Sequence, residues 1–217
     1  MDHPVSHYWR LGLHRLQKRL EKNGFEAHLV DDTSQAVDLA VGRIIPAISP
    51  QSVSWGGSMT FATSGLYHHL IEQTGIAVLD TFDKTLPAEQ ILENRRQALL
   101  TDLFITGTNA VTAKGQLVNL DMIGNRVAAL TFGPKAVIVM VGRNKVVADL
   151  DAAMARIKQY AAPANVLRLD KKTPCAETGR CQECSSADRI CNSWTITEKS
   201  FPVGRIKVIL INQDLGL

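Results

Sequence analysis

The stretch that decides the fold runs from Leu103 to Leu130, LFITGTNAVTAKGQLVNLDMIGNRVAAL. An apolar run ends abruptly at Gly107-Thr108-Asn109, a short hairpin around Lys114-Gly115 follows, and Asn119, Asp121 and Gly124-Asn125-Arg126 lead into a second apolar run of small residues. This is the pattern of a buried strand opening into a polar loop. In an open α/β sheet, ligands sit in the crevice at the carboxyl ends of the strands. The pocket is therefore expected here, lined by Gly107, Thr108, Asn109, Asn119, Asn125 and Arg126, with Asp121 as the candidate acid/base. Glycines that only make turns, and amides that only satisfy loop backbone, would produce the same letters. No Ser/His/Asp order, nucleophile elbow, Walker loop or dinucleotide fingerprint occurs in the chain.

Working outward on the N-terminal side, Val53-Ser54-Trp55 reads as a brief strand running into Gly56-Gly57-Ser58-Met59-Thr60 and then a helix marked by Ala62, Leu66, Leu70 and Ile71. Strand, double glycine, hydroxyl cap and helix can cradle an anion, because glycines admit a ligand to the backbone and the helix start offers free N–H groups. A tight turn with an N-cap reads the same way. Earlier still, Trp9, Leu13, Leu16 and Leu20 form the apolar stripe of an amphipathic helix ended by Asn23-Gly24, expected to cover the sheet. Ser34 is the expected cap of a second helix that Pro46 stops. Thr85 to Leu100 is expected to be helical, and His68 and His69, adjacent in mid-helix, cannot face one point.

On the C-terminal side, Ala136–Val141 is a continuous apolar, β-branched run, as expected of a strand covered on both faces. Asn144 is the expected cap of a helix carrying Val146, Val147, Leu150, Met154 and Ile157, and Arg143 and Lys145 could neutralise an anion there. Val166–Leu169 reads as another strand, and Trp194–Ile196 and Arg205–Ile211 as the last ones.

Between them lie all four cysteines, Cys175, Cys181, Cys184 and Cys191. Four thiolates on one compact loop can hold an iron–sulfur cluster or, alternatively, a tetrahedral zinc ion. Structural zinc favours two close pairs, whereas here one close pair is flanked by longer arms, which favours the cluster. Clustering of every cysteine in a single segment also fits a reducing compartment better than a secreted disulfide framework.

Composition narrows the field. A chain of 217 residues, 45% hydrophobic and 21% charged, can bury one substantial core. A dispersed net charge of +3 argues against a nucleic-acid partner. The start carries histidines and arginines among its apolar residues, and no run approaches the roughly 20 apolar residues of a membrane span. The expectation is a cytoplasmic protein with no membrane partner, and a homodimer is a common oligomer for a sheet protein of this size.

These residues carry a resemblance. TGTNAVTAKGQLVNLDMIGNRVAAL, FGPKAVIVMVGRNKVV, TPCAETGRCQECSSADRICN and RIKVILINQDLGL resemble the LUD family of lactate-utilization proteins, in particular its stand-alone members with a cysteine-rich segment near the C-terminus. The resemblance implies an α/β fold, an open Rossmann-like sheet similar to the ribose-phosphate isomerase, CoA-transferase and folate cyclo-ligase group. The chain is expected to divide into an N-terminal helix over 1–25 and a LUD α/β domain over 26–217, which includes the cysteine-rich metal-binding insertion at 171–194 before the last strand. The resemblance also implies a role in oxidising lactate or a related hydroxy acid beside iron–sulfur redox subunits, and the cradle of Gly56, Gly57, Ser58 and Thr60 is where an anionic small-molecule ligand is expected.

The central loop is similar as well to sugar-phosphate isomerases related to translation-initiation-factor 2B subunits, with Gly107, Gly115, Asn119 and Gly124 matching in order. Asn109 stands where those enzymes place a catalytic aspartate, and an amide cannot act as a general acid or base. An isomerase or transferase acting on a phosphorylated or acyl-thioester metabolite, with Asp121 as its acid/base, is thus one alternative. A non-catalytic ligand-binding regulatory subunit is another.

Overall fold

The computed structural model describes residues 4–73 and 75–217; the first three residues of the expected 1–25 segment lie outside the described residues. The chain runs α1 (Pro4–Lys22), β1 (Glu26–Val30), α2 (Thr33–Leu39), a π turn, α3 (Ile45–Ile48), β2 (Ser52–Trp55), α4 (Met59–Thr63), α5 (Leu66–Glu72), β3 (Ala77–Leu79), α6 (Ala88–Gln97) and β4 (Leu103–Gly107). The hairpin β5 (Ala110–Thr112) and β6 (Leu117–Asp121) follows, then α7 (Asn125–Thr131), β7 (Ala136–Gly142) and β8 (Val146–Val147). The last elements are α8 (Leu150–Arg156), α9 (Ala162–Arg168), α10 (Pro174–Thr178), β9 (Ser193–Thr197) and β10 (Ile206–Ile211).

Six strands make one all-parallel sheet in the order β1-β10-β7-β4-β2-β3. The unbroken apolar runs sit at its centre: every residue of β4 and of β7 is buried. Helices cover both faces, as parallel strands require. On one face Leu13, Leu16 and Leu20 of α1 join Phe104, Val137, Val139 and Leu210, and burying each such leucine contributes about 1.5–3 kcal/mol. On the other, α2 to α5 pack Ala36, Ile44, Phe61 and Leu70 onto Trp55, Ile105 and Ile138. This is the open Rossmann-like α/β architecture expected from the sequence. From β2 the chain moves outward to β3 and then returns on the other side of β2 to form β4. The loops after β2 and β4 therefore diverge, which is the topological condition for a crevice at the strand ends.

A second sheet, β8-β5-β6-β9, stacks on this frame. Trp194–Ile196 is a strand, as expected, but it joins β6 in this smaller sheet and not the parallel one. Other local expectations yield to tertiary context. Asp32, not Ser34, caps α2 through Gln35 N at 2.9 Å. The helix does not stop at Pro46, because a π turn over Ala40–Ile44 resets the hydrogen-bond register and leaves the proline at the start of α3, where no N–H is needed. The helix expected to run on to Ile71 is broken at Gly65, whose φ is 92°, leaving α4 a single short turn.

Residues 166–169 are not a strand. They finish α9, with Val166 packed on Cys175 and Ile190. Asn144 caps no helix: residues 143–145 form a 3-10 turn, Val146–Val147 pair with β5, and Asp149 caps α8 through Ala152 N at 2.9 Å. No helix among the described residues is long and apolar enough to cross a membrane.

Candidate functional site

The register of the parallel sheet brings three loops to one end. Gly107 at the end of β4 pairs with Met140, two residues before Gly142 at the end of β7, and Trp55 at the end of β2 pairs with Ile105. Gly56-Gly57-Ser58, Gly107-Thr108-Asn109 and Gly142-Arg143-Asn144-Lys145 therefore leave the sheet side by side. Contact between the first two is close enough to need glycine: a Cβ on Gly107 would stand 2.5 Å from Ser58 Oγ, and one on Gly56 would stand 2.9 Å from Phe104 Cζ and 3.3 Å from Arg126 Cβ. Gly57 has open space around it. Ser58 acts as the cap, accepting from Phe61 N at 3.2 Å.

Most of the polar residues expected to line the pocket are brought together, and they spend their hydrogen bonds on each other. Arg126, only 7% exposed, projects from α7 into the centre. Its Nη1 donates to Asn119 Oδ1 at 2.6 Å and Gly107 O at 3.3 Å, and its Nη2 to Asn109 Oδ1 at 2.8 Å and Leu120 O at 3.2 Å. Asn109 N donates to Asn119 Oδ1, and Leu120 N to Asn109 Oδ1, both at 3.1 Å. Asp121 lies 3.9 Å from Arg126 Nε and accepts from Met122 N at 3.0 Å and Val127 N at 3.3 Å, so its carboxylate caps α7. Thr108 turns its hydroxyl to Ala110 O and Val118 O. Asn125, half-buried, opens α7 after Gly124, whose φ of 91° suits glycine. Asn119 Nδ2 is buried without a partner among the described residues, as is Thr195 Oγ1 on the paired strand.

Two cations stand above this knot. Lys145 is 4% exposed, and its Nζ donates to Thr60 Oγ1 at 2.8 Å. No carboxylate lies within ion-pair distance of it among the described residues. Burial pushes its pKa down to about 7, and the guanidiniums of Arg156 and Arg126 push in the same direction. Arg156 reaches back from α8, donating Nε to Asn144 O at 3.0 Å and Nη1 to Asn109 O at 2.8 Å, with the ring of Tyr160 5.5 Å from its guanidinium. Burial lowers its pKa too. The segment after β10 closes the top: Leu215 N donates to Asn144 Oδ1 at 3.0 Å, Thr60 Oγ1 to Leu215 O at 3.3 Å, and Arg143 pairs with Asp214 at 2.9 Å.

Lys145 was visible in the sequence as a basic residue behind the end of a buried strand. Arg156 carried no signal, because on α8 it reads as one more solvated charge.

The four cysteines are free thiols. Cys175 is buried against Val166 and Ile190, with Thr173 Oγ1 3.2 Å from its sulfur. Cys181 Sγ lies 3.8 Å from Lys158 Nζ and 3.5 Å from Glu183 Oε1. Burial raises the Cys191 thiol, Lys158 lowers it, and Cys181 and Cys175 are near enough to raise it further. Cys184 sits in the same loop, its carbonyl accepting from Arg189 Nη1 at 2.6 Å. Among the described residues no three Cys, His, Asp or Glu side chains stand close enough together to hold a metal ion.

A solved structure of a DUF162 family protein from Deinococcus radiodurans is similar with a TM-score of 0.49 and 15% identity, covering 94% of this chain and 98% of that one. No curated protein sequence matches significantly. The model of the LUD domain matches residues 13–211, a span that takes in both sheets, the Arg126 knot, Lys145, Arg156 and the cysteine segment, and the chain belongs to the LUD-domain family.

Proposed function

We propose that this LUD-domain protein serves lactate or related hydroxy-acid utilization by binding a small carboxylate between Lys145 and Arg156 at the carboxyl end of the parallel sheet. The observation that carries the reading is the charge balance. Among the described residues two largely buried cations lie near one another with no carboxylate paired to either, and Asp121 is committed to Arg126 and to the start of α7. Unpaired buried positive charge is costly, and an anionic ligand offsets it. Arg126, Asn109 and Asn119 hold the loops that carry these groups.

Calorimetry with L-lactate, pyruvate and inorganic phosphate tests this. A small carboxylate is expected to bind with micromolar to millimolar affinity and to raise the melting temperature, and Lys145→Met is expected to lose at least tenfold in affinity. Phosphate binding tightly while both carboxylates fail would overturn the reading in favour of a phosphorylated substrate.

A second element of the proposal is a metal centre on Cys175, Cys181, Cys184 and Cys191, which would link the protein to a redox complex. Its support is the donor chemistry: four soft ligands in one short segment, three of them within electrostatic reach of one another, with Lys158 partly offsetting their charge. An iron–sulfur cluster there would supply one-electron transfer; zinc would hold the segment in place. Anaerobic purification followed by iron, sulfide and zinc quantification is expected to give stoichiometric metal that falls in Cys191→Ser. A metal-free chain with unchanged stability would remove this element and leave the anion site untouched.

A further inference from the structure

We propose that the Lys145 amine captures the carbonyl form of this ligand class, a small 2-oxo acid, as a Schiff base; the proposal rests on the anion-site reading above. The geometry isolates one nucleophile. Thr60 Oγ1, at 2.8 Å, is the only side-chain acceptor the amine has among the described residues, and no carboxylate is close enough to hold it as an ammonium. Arg126 has its hydrogen bonds committed to the loops below. Arg156 uses Nε and Nη1 on main-chain carbonyls and makes no hydrogen bond through Nη2 among the described residues, which leaves one guanidinium nitrogen to take the ligand carboxylate. A 2-oxo acid held there by its carboxylate presents its adjacent carbonyl carbon to Nζ.

The backbone of Gly216 now fills the approach. A Cβ on that residue would stand 3.3 Å from Lys145 Nζ and 2.7 Å from Thr60 Oγ1. Its φ of 66° and this crowding both suit glycine. Two hydrogen bonds of Leu215, the Arg143–Asp214 pair and, further back, the bonds from Arg143 N to Gln213 O at 3.0 Å and from Thr33 N to Gln213 Oε1 at 3.3 Å hold the segment, and bonds of that kind are individually weak. It can therefore yield to a ligand whose carboxylate pairs with Arg156 and whose carbonyl approaches Lys145.

The step balances without an oxidant. The lone pair on Nζ attacks the carbonyl carbon, forming the C–N bond as the C=O π pair moves to oxygen. A proton from nitrogen reaches that oxygen to give a carbinolamine. The hydroxyl then leaves as water with the second nitrogen proton, and the C=N bond forms. The Thr60 hydroxyl is placed to relay these protons. Free amine is abundant at neutral pH because burial and the neighbouring guanidiniums disfavour the ammonium.

The test is reductive trapping. The full chain is incubated with pyruvate and cyanoborohydride at pH 7, followed by intact mass and peptide mapping, with lactate as the carbonyl-free control. The expected result is a single reduced pyruvate adduct on Lys145, absent with lactate, lost in Lys145→Arg and formed several-fold more slowly in Thr60→Val. Mapping on the unsubstituted protein locates the adduct even if a variant fails to fold. Calorimetric binding of pyruvate without an adduct on Lys145 would overturn the Schiff base and leave the anion site standing. Absence of any carboxylate binding would overturn both. Adducts spread over exposed lysines and unchanged in Lys145→Arg would also sink the proposal.

Discussion

Lys145→Met is expected to make the protein more stable at pH 6 to 7 while removing its affinity for small carboxylates. The folded-state pKa of Lys145 is about 7 against an ordinary value of 10.5. Between those values the unfolded chain holds a proton that the native one has lost, so the contribution of this residue to stability improves as pH rises through that window. Below about 7 both states are protonated and the native state carries the full cost of a buried ammonium facing two guanidiniums. At about 1.4 kcal/mol per pH unit the gap corresponds to an upper bound of about 4–5 kcal/mol, part of which the chain recovers by local relaxation.

Methionine keeps the length and apolar stem and removes the charge. Denaturant melts from pH 6 to 10 should show the variant ahead by a few kcal/mol at the acid end, with the difference shrinking towards pH 10. A variant that is less stable at pH 6 would mean that the bond to Thr60 and the contact with Gly216 outweigh the charge cost, and that the amine is better solvated than its surroundings indicate. Gain in stability with loss of binding is the signature of a residue kept for function.

Arg126→Met is expected to destabilise the protein by about 3–5 kcal/mol, the range for removing one member of a buried charged network. Four acceptors lose a donor at once: Asn119 Oδ1, Asn109 Oδ1, Gly107 O and Leu120 O. The loops after β4 and β6 are then no longer tied together through one guanidinium. Arg126→Lys should rescue little, since one ammonium cannot reproduce a planar fork that spans two amides and two carbonyls. Both variants should also raise the titration point of Lys145, because one of the two guanidiniums that disfavour its ammonium moves or disappears. Equilibrium denaturation and the pH dependence of ligand binding read these two effects separately. A loss of under about 1 kcal/mol, the worth of a single ordinary hydrogen bond, would show that the knot is not what holds the strand ends.

The central strands were legible because their physics is local. β4 and β7 are apolar runs buried along their whole length, and β10 is interrupted only near its start by the half-buried Lys207. The GTN turn marks where that run must end. The misread segments are those where a distant contact decided the outcome. Val166-Leu167-Arg168-Leu169 has a strand-like alternation, yet one buried face, Val166 against Cys175 and Ile190, is all that α9 needs. Val146 and Val147 fit a helical spacing, but β5 offers them a parallel edge. Pro46 would end an ordinary helix; the π turn before it removes the conflict.

The candidate site divides along the same line. By itself the sequence placed glycine, amide and acid residues around the end of one buried strand, at Gly107, and a separate glycine and hydroxyl cradle after Trp55, since each follows an apolar run that has to emerge from the sheet. It also determined that the thiols would share one segment. Only the tertiary structure decided which polar groups are spent and which remain available. Lys145 meets Thr60 across 85 residues of sequence and Arg156 meets Asn109 across 47. Whether a charge is paired, solvated or left waiting depends on neighbours that no local pattern contains. Arg126 looked like a pocket-lining cation and is consumed by its own loops; Lys145, read as a possible neutraliser of an anion, and Arg156, read as surface charge, lie near one another with no carboxylate paired to either among the described residues.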